Sequence, residues 1–487
     1  MHLSTERVER GMTADGAGDA LDFLTDALPE DRVTTSEDVR ESHATDWGTQ
    51  DGTTPDAVVW PTATAEVAAV LSGATERGIP VTPYAAGTSL EGNPVPAHAG
   101  ISMDLTRMDE VLAVRPEDHQ LDVEPGVMGP AIEDAAGEHG LFFPPLPSSG
   151  DISTIGGMIA NAASGMQTVK YGEVADWVLE LEAVLADGSV ITAGSRAVKT
   201  SAGYDLRDLF VGSEGTLAVV TRATLELAGR PDQIRGGRAL FSTLGDATAA
   251  VTDAVQSGVD VAKIELIDAE SARMSNAYTG ADLPDDPMVF VEFHADHGIE
   301  AEIDFCESIF DTQALERFEI AAEERMDDLW RARKDLAFAI RSFDPDLVPL
   351  HPGDVAVPIS EYGPLIHFAK ERAAEEDLLV PCFGHAGDGN VHYSVLVDPD
   401  DPDEVERGEA LYAEIVERAI DVGGTATGEH GIAQGKREFL ESEHGAATVE
   451  TMRAIKRALD PTDTLNPGKI FPETADGERV RAEPVDE

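Results

Sequence analysis

The sequence predicts an α+β protein of more than one domain, and three observations lead there. At 487 residues the chain is too long for one ordinary domain, and with 42% of its residues hydrophobic it can fill roughly two or three cores. In the first half, short β-type runs follow one another, broken by helical patches and by loops rich in glycine, serine and alanine. In the second half, apolar runs on either side of Gly384-His385-Ala386-Gly387-Asp388-Gly389-Asn390 read as a hairpin with a longer loop.

The charge balance excludes some functions. There are 93 acidic residues against 35 basic ones, a formal net charge of −58. Such a surface repels nucleic acid and anionic membrane, so neither is expected as a partner. The acidic residues are spread along the chain, as in Pro399-Asp400-Asp401-Pro402-Asp403-Glu404, and lysine is scarce beside arginine. This is the surface expected of a protein from a salt-adapted cytoplasm. A disordered acidic chain does not fit, because apolar periodicity persists. A surface of one sign repels itself until counterions screen it, so the thermal midpoint is expected to rise from low to molar KCl. A flat or falling midpoint in that series of melts would remove the halophilic reading. Cys306 and Cys382 are the only cysteines, which suits a reducing compartment and excludes a disulfide framework or an iron–sulfur cluster on four cysteines. Met1-His2-Leu3-Ser4-Thr5-Glu6-Arg7 lacks the apolar core of a signal peptide, and no run of about eighteen apolar residues is present. A cytoplasmic protein without a transmembrane segment is expected.

Residues 1–53 are polar apart from Leu21, Phe23, Leu24 and Leu28, and read as a helical lead-in. From Glu66 to Arg77, Val67, Val70 and Leu71 fall at helical spacing, and Gly78 closes the helix. The β-type run Ile79–Tyr84 breaks into Ala85-Ala86-Gly87-Thr88-Ser89-Leu90-Glu91-Gly92, a loop that can offer backbone N–H groups to phosphate or serve as a tight turn. Ile101–Leu105, Val111–Val114 and Leu121–Val123 are short strands, and Ala131–His139 is helix-like. Residues 148–165 form the densest small-residue stretch, a poor core but able to wrap closely around a flat or phosphorylated ligand. A hairpin follows, Val178–Val184 and Ser189–Thr192 about Asp187-Gly188, and then Gly212-Ser213-Glu214-Gly215-Thr216-Leu217 leads into the strand Ala218–Thr221.

In the second half the hairpin returns His385 and His392 to each other's side, and imidazole is the commonest protein ligand for a transition metal. A third ligand would be imported, and Gly428-Glu429-His430-Gly431 offers one. By spacing alone these histidines could equally be ordinary core or surface groups.

Residues 55 to about 230 resemble the FAD-binding domain of the vanillyl-alcohol oxidase superfamily, the PCMH type. The resemblance rests on the loop at 87–92, on Thr154-Ile155-Gly156-Gly157 and on the segment 212–217, in that order and spacing. It implies two small α/β lobes around FAD, with Ala86, Gly87, Thr88, Ser89, Leu90, Ser148, Ser149, Asp151, Thr154, Gly156, Gly157, Asn161, Ala163, Gly165, Gly215, Val219 and Asn466 as cofactor-binding residues. No Gly-x-Gly-x-x-Gly opens a helix, so a nicotinamide cofactor has no support. The histidine that anchors flavin covalently in some relatives is missing, which implies non-covalent FAD.

The second half resembles the cap of the D-lactate dehydrogenase, glycolate oxidase flavin subunit and D-2-hydroxyglutarate dehydrogenase branch, closest to the mitochondrial-type D-lactate dehydrogenases. Leu329-Trp330-Arg331-Ala332-Arg333-Lys334, Gly353-Asp354-Val355-Ala356-Val357-Pro358, the His385–His392 hairpin, Thr427–Gly431 and the stretch from Leu459 to Lys469 carry this likeness. It implies a cap with an antiparallel sheet covered by helices. The expected division is a lead-in at 1–53, an FAD-binding domain at 54–231, a cap at 232–425, a segment at 426–471 returning to the flavin, and an acidic tail at 472–487.

The resemblance also implies that His385, His392 and Glu429 hold a divalent metal, Zn²⁺ or Mn²⁺, that His430 is the catalytic base, and that Arg333 grips the substrate carboxylate. A histidine that only orients a metal ligand remains the rival for His430, and a surface arginine the rival for Arg333. The hydroxyglutarate branch has a lysine where this chain has Pro352-Gly353, which tells against a dicarboxylate. The implied activity is FAD-dependent oxidation of a D-2-hydroxy acid, D-lactate foremost. A glycolate oxidase flavin subunit and a non-catalytic electron-transfer subunit are the alternatives. A quinone, a cytochrome or an electron-transfer flavoprotein would accept the electrons. A homodimer and a peripheral place on the inner face of the membrane are left open.

Overall fold

The protein was analysed as a computed structural model, which describes residues 21–50, 52–321 and 326–472. The first twenty residues of the lead-in, Asp51 and the acidic tail beyond Pro472 lie outside the described residues.

Two small sheets form the first half. In one, strands Val33–Thr34, Ala57–Val59, Ile101–Asp104 and Val81–Tyr84 lie in that spatial order, the last three mutually parallel. Helix Thr64–Arg77 buries Val67, Val70, Leu71 and Ala74 in their core, and Gly78 ends it at φ +65°, a left-handed conformation that glycine adopts without strain. Leu24 and Leu28 of the lead-in enter the same core. The other sheet is antiparallel, in the order Val111–Arg115, Gln120–Val123, Val219–Glu226, Val178–Val184 and Val190–Gly194. Ile155, Met158 and Ile159 of the short helix Ile155–Ala160 pack into its core. The helix expected from Ala131 begins earlier, at Gly129, because Pro130 is pre-set for a first helical turn.

The second half is built on a seven-stranded antiparallel sheet. Its order is Leu315–Ile320, Gln233–Phe241, Met288–Ala295, Lys263–Ile267, Cys382–His385, Asn390–Val397 and Val348–Ala356. Side chains alternate between its faces. Val289, Val291, Val391 and Val395 meet helices Leu244–Ser257, Ile359–Glu376 and Pro402–Asp421. Met288, Phe290 and Leu396 meet helices Ala269–Thr279 and Leu336–Arg341. Thr243 and Asp268 cap their helices by accepting N–H bonds at the third residue beyond, and Gly258 and Gly280 close them.

After helix Ala446–Leu459 the chain runs back to the first sheet. Val81 N donates to Thr464 O and Asn466 N to Val81 O, both at 2.8 Å. Asp460 stabilises this return by accepting from Thr464 N, Leu465 N and Lys456 Nζ. The architecture is the expected α+β arrangement.

Candidate active site

A cleft of about 1400 Å³ runs between the two small sheets and the large one. One wall is the small-residue loops. Ala86, Gly87, Thr88, Ser89, Leu90, Ser148, Ser149, Asp151, Thr154, Gly156, Gly157, Asn161, Ala163 and Gly215 all line it. A hydroxyl chain runs from Thr88 through Ser153 to Ser149, and Ser148 Oγ is buried without a partner. A Cβ built on Gly157 meets only Thr154 Oγ1, at 3.5 Å, so the wall is smooth there. A lining of backbone, small hydroxyls and one orphaned donor fits a phosphorylated, flat cofactor.

Three expected cofactor residues do not line the cleft. A Cβ on Gly165 would stand 2.8 Å from Pro147 Cα, so its glycine serves loop packing. Val219 lies in the core of the parallel sheet. Asn466 is buried behind the wall, where its side-chain N–H₂ donates to Asn93 O and Glu214 O. Asp151 lines the cleft but pairs with Lys334, linking the small-residue wall to the cap.

The other wall carries the histidines. Strands Cys382–His385 and Asn390–Val397 pair antiparallel with Phe383 opposite His392, and a short turn at Ala386–Asp388 joins them. Gly389 takes φ +73° there, and a Cβ on it would meet Val357 O at 2.0 Å. The His385 and His392 ring centroids are 5.1 Å apart. Glu429 faces both: its Oε1 lies 3.4 Å from His385 Nε2 and 3.2 Å from His392 Nε2. His430 stacks on His392, centroids 5.5 Å apart and planes 12° from parallel.

Glu429 and His430 are neighbours in sequence yet both face the cleft, and Asp354 holds them so. Its Oδ2 accepts from Glu429 N at 2.8 Å, His430 N at 2.9 Å and Thr427 Oγ1 at 2.9 Å, and its Oδ1 from Asn390 Nδ2 at 2.7 Å. Asn161 Nδ2 donates to His430 O from across the cleft. Behind them Glu214 is fully buried, accepting from Ile432 N, Ala433 N and Asn93 Nδ2.

Burial and charge set the ionisation of these groups. Burial would raise Glu429, but His385 first and His392 second hold it below the usual carboxylate range. Burial pulls His385 down, yet Glu265 and Glu429 outweigh it and raise it to about 10. Burial lowers His430 to about 4 against the attraction of Asp354, so its ring is neutral at pH 7. Asp354, despite burial, is held well below its usual value by His430 and Lys436.

His385, His392 and Glu429 bring one ligand atom each within 4.8 Å of one another, and His385 Nε2 is buried without a hydrogen-bond partner. Two imidazole nitrogens and a carboxylate oxygen, one nitrogen orphaned, fit a divalent transition metal. Arg333 is only 3% exposed, with its guanidinium over the Phe383 ring and its side chain on the cleft wall, whereas Arg331 is exposed. The description of a surface arginine applies to Arg331. Nε of Arg333 donates to Glu265 Oε2 at 2.8 Å.

Residues 55–194 match the "FAD binding domain" family, and residues 230–470 match the family described as "FAD linked oxidases, C-terminal domain". The chain is 36% identical to "Probable D-lactate dehydrogenase, mitochondrial" of Danio rerio, over 91% of this chain and 89% of the relative. It is also 36% identical to "Glycolate oxidase subunit GlcD" of Bacillus subtilis, over 88% and 91%, and 35% identical to "D-lactate dehydrogenase [cytochrome], mitochondrial" of Arabidopsis thaliana, over 96% and 83%.

The chain belongs to the FAD-linked oxidases.

Among solved structures, p-cresol methylhydroxylase with substrate bound has a TM-score of 0.77 at 18% identity, covering 94% of this chain and 98% of its own. 4-Ethylphenol oxidase from Gulosibacter chungangensis gives 0.74 at 18% identity, covering 95% and 99%. These likenesses show the PCMH-type fold. Among the described residues no helix is long and apolar enough to cross a membrane.

Asp354, Glu265 and Glu214 received no role from the sequence. Asp354 and Glu214 stood inside the motifs Gly353-Asp354-Val355 and Gly212-Ser213-Glu214. Glu265 had a signal of its own, a lone carboxylate in the apolar run Ile264–Ile267.

Proposed function

We propose that this chain oxidises a D-2-hydroxy acid, D-lactate foremost, to the 2-oxo acid. The observation that carries the reading is the convergence of His385, His392 and Glu429 beside a neutral His430, on a wall facing the small-residue loops. FAD, held without a covalent bond by the loops around Gly87, Ser148 and Gly157, supplies the acceptor for the C2 hydride. A divalent metal, Zn²⁺ or Mn²⁺, held by His385, His392 and Glu429, supplies Lewis acidity toward the substrate hydroxyl.

The chain's own residues then divide the work. Arg333 presents guanidinium N–H groups to the substrate carboxylate and fixes its orientation. His430 Nε2 takes the hydroxyl proton as its neutral ring becomes imidazolium. Asp354, 3.8 Å from His430 Nδ1 and bonded to its backbone N–H, stabilises that positive charge. Pro352 and Gly353 line the cleft without a cation, which suits a monocarboxylate.

The chain is taken to work in the cytoplasm, and a quinone, a cytochrome or an electron-transfer flavoprotein would reoxidise the flavin. The glycolate oxidase relative favours a second reading, in which glycolate is the substrate. Anaerobic mixing of purified holoprotein with D-lactate, and separately with glycolate, tests both. Flavin bleaching is expected with D-lactate. Bleaching by glycolate alone would select the second reading, and no bleaching with either would leave a non-catalytic flavoprotein subunit.

A further inference from the structure

We infer that Glu265 is a positioning residue: one buried carboxylate sets the tautomer of His385 and the orientation of Arg333, and so couples metal binding to the carboxylate clamp. This rests on the metal and clamp roles proposed above.

Glu265 lies in strand Lys263–Ile267 in the middle of the seven-stranded sheet, paired directly opposite His385 on the neighbouring strand. Its side chain has no exposed surface. A carboxylate so placed is costly to ionise unless partners surround it. It has two, reached from distant parts of the chain. Oε1 is 2.7 Å from His385 Nδ1, 120 residues away. Oε2 accepts from Arg333 Nε at 2.8 Å, 68 residues away, and Arg333 Nη2 lies 2.6 Å from the same oxygen.

The first contact decides which imidazole nitrogen can bind a metal. An ionised carboxylate only accepts hydrogen bonds, so His385 Nδ1 must carry the hydrogen. The lone pair that a metal requires is then the one on Nε2, the buried nitrogen facing Glu429. The opposite tautomer would set lone pair against lone pair at 2.7 Å. A carboxylate behind a metal-binding histidine acts in this way, fixing the tautomer and raising ligand basicity. The second contact holds the Nε edge of Arg333. The guanidinium cannot rotate to follow an incoming carboxylate without losing Glu265, so its approach angle is fixed before substrate arrives.

Glu265→Gln keeps the shape and removes the double acceptor. Its two partners are both donors, N–H of His385 and N–H of Arg333, and an amide accepts on one side while donating on the other. Either one contact becomes donor against donor, or His385 moves its proton to Nε2, the nitrogen that faces Glu429. In chelator-stripped protein, the affinity for Zn²⁺ or Mn²⁺, measured by competition with a chelating dye, is expected to fall about 10–100-fold, with FAD content unchanged. At saturating metal, KM for D-lactate is expected to rise. A purely structural role would instead lower the melting midpoint and FAD content together, leaving the metal affinity of the folded fraction untouched.

His392→Ala serves as the control. If it loses the metal while folded Glu265→Gln binds within about twofold of wild type, the role of Glu265 is overturned and the metal reading stands. If wild type itself binds no metal, both fall. Should Glu265→Gln not fold, ring-¹⁵N-histidine NMR of the metal-loaded wild type carries the test. A histidine signal with the proton on Nδ1, absent from His385→Ala, supports the inference. The proton on Nε2 overturns it.

Discussion

His392→Ala is expected to abolish turnover while leaving bound FAD close to wild type. The two effects separate because the imidazole and the cofactor loops sit on opposite walls of the cleft. His392 Nε2 lies 3.2 Å from Glu429 Oε1, and its ring lies between those of His385 and His430. Removing it leaves one nitrogen and one carboxylate, too few to hold a catalytic metal with open positions. Deleting even a partner behind a ligand typically costs about 10–100-fold, so losing the ligand itself should exceed ~100-fold in metal affinity. Asp354 keeps its contacts to Asn390, Thr427 and the backbone at Glu429 and His430, so the fold around the site has no reason to collapse. Metal analysis, flavin absorbance and D-lactate turnover on one preparation check this, with His385→Ala alongside. Full activity in either variant after chelation would end the metal reading.

The elements that position this site were legible where the signal was local. Gly78 and Asp187-Gly188 mark a helix end and a hairpin turn by their own chemistry, and both fall where expected. The hairpin from Cys382 to Val397 shows in two apolar runs about a Gly/Asp/Asn cluster, and its glycine turn sets the two rings together. What holds these pieces in place was not legible. Asp354 organises Glu429 and His430 from 75 and 76 residues away, and no sequence pattern announces a carboxylate that accepts backbone N–H groups on another element. Gly428 and Gly431 flank the Glu429-His430 pair. Gly431 does take φ +82°, but the carboxylate of Asp354 is what gathers the two amides.

Glu214 makes the same point from the other wall. In sequence it stood only inside the segment 212–217, one of the motifs that carry the likeness to the FAD-binding domain. In the structure its carboxylate faces away from solvent and accepts from Ile432 N and Ala433 N, tying the loop to the segment that carries His430. Burial pushes it up to about 7 even so. The small-residue stretches therefore have two duties that composition does not tell apart. Gly157 and Ser148 line the cleft, whereas Gly165 packs behind it against Pro147.

His430→Asn is expected to cut the rate of flavin reduction by roughly 10²–10⁴ with metal content retained, the range for losing a general base. The ring is only partly exposed, stacked on His392 and held neutral, and asparagine has no nitrogen that can take a proton at pH 7. The backbone carbonyl of His430 would still accept from Asn161, so the segment keeps its course. The same geometry makes the site chiral. Arg333 and the ligand set of His385, His392 and Glu429 stand together on one wall, joined through Glu265, and the small-residue loops form the wall opposite. In the proposed reaction, whose D-stereochemistry comes from the family likeness, a D-2-hydroxy acid with its carboxylate on Arg333 and its hydroxyl on His430 would turn its C2 hydrogen toward the small-residue wall. The L-enantiomer, held by the same two groups, would turn that hydrogen away. Misplacing a reacting atom by about an ångström costs on the order of 10²-fold, so D-lactate should reduce the flavin at least ~100-fold faster than L-lactate. Anaerobic stopped-flow with both enantiomers, on wild type and His430→Asn, measures both effects in one series. Equal rates for D and L would sink the proposed three-point hold on the substrate. An unimpaired His430→Asn would return His430 to a role behind the ligands, as a group that orients Glu429 and moves no proton.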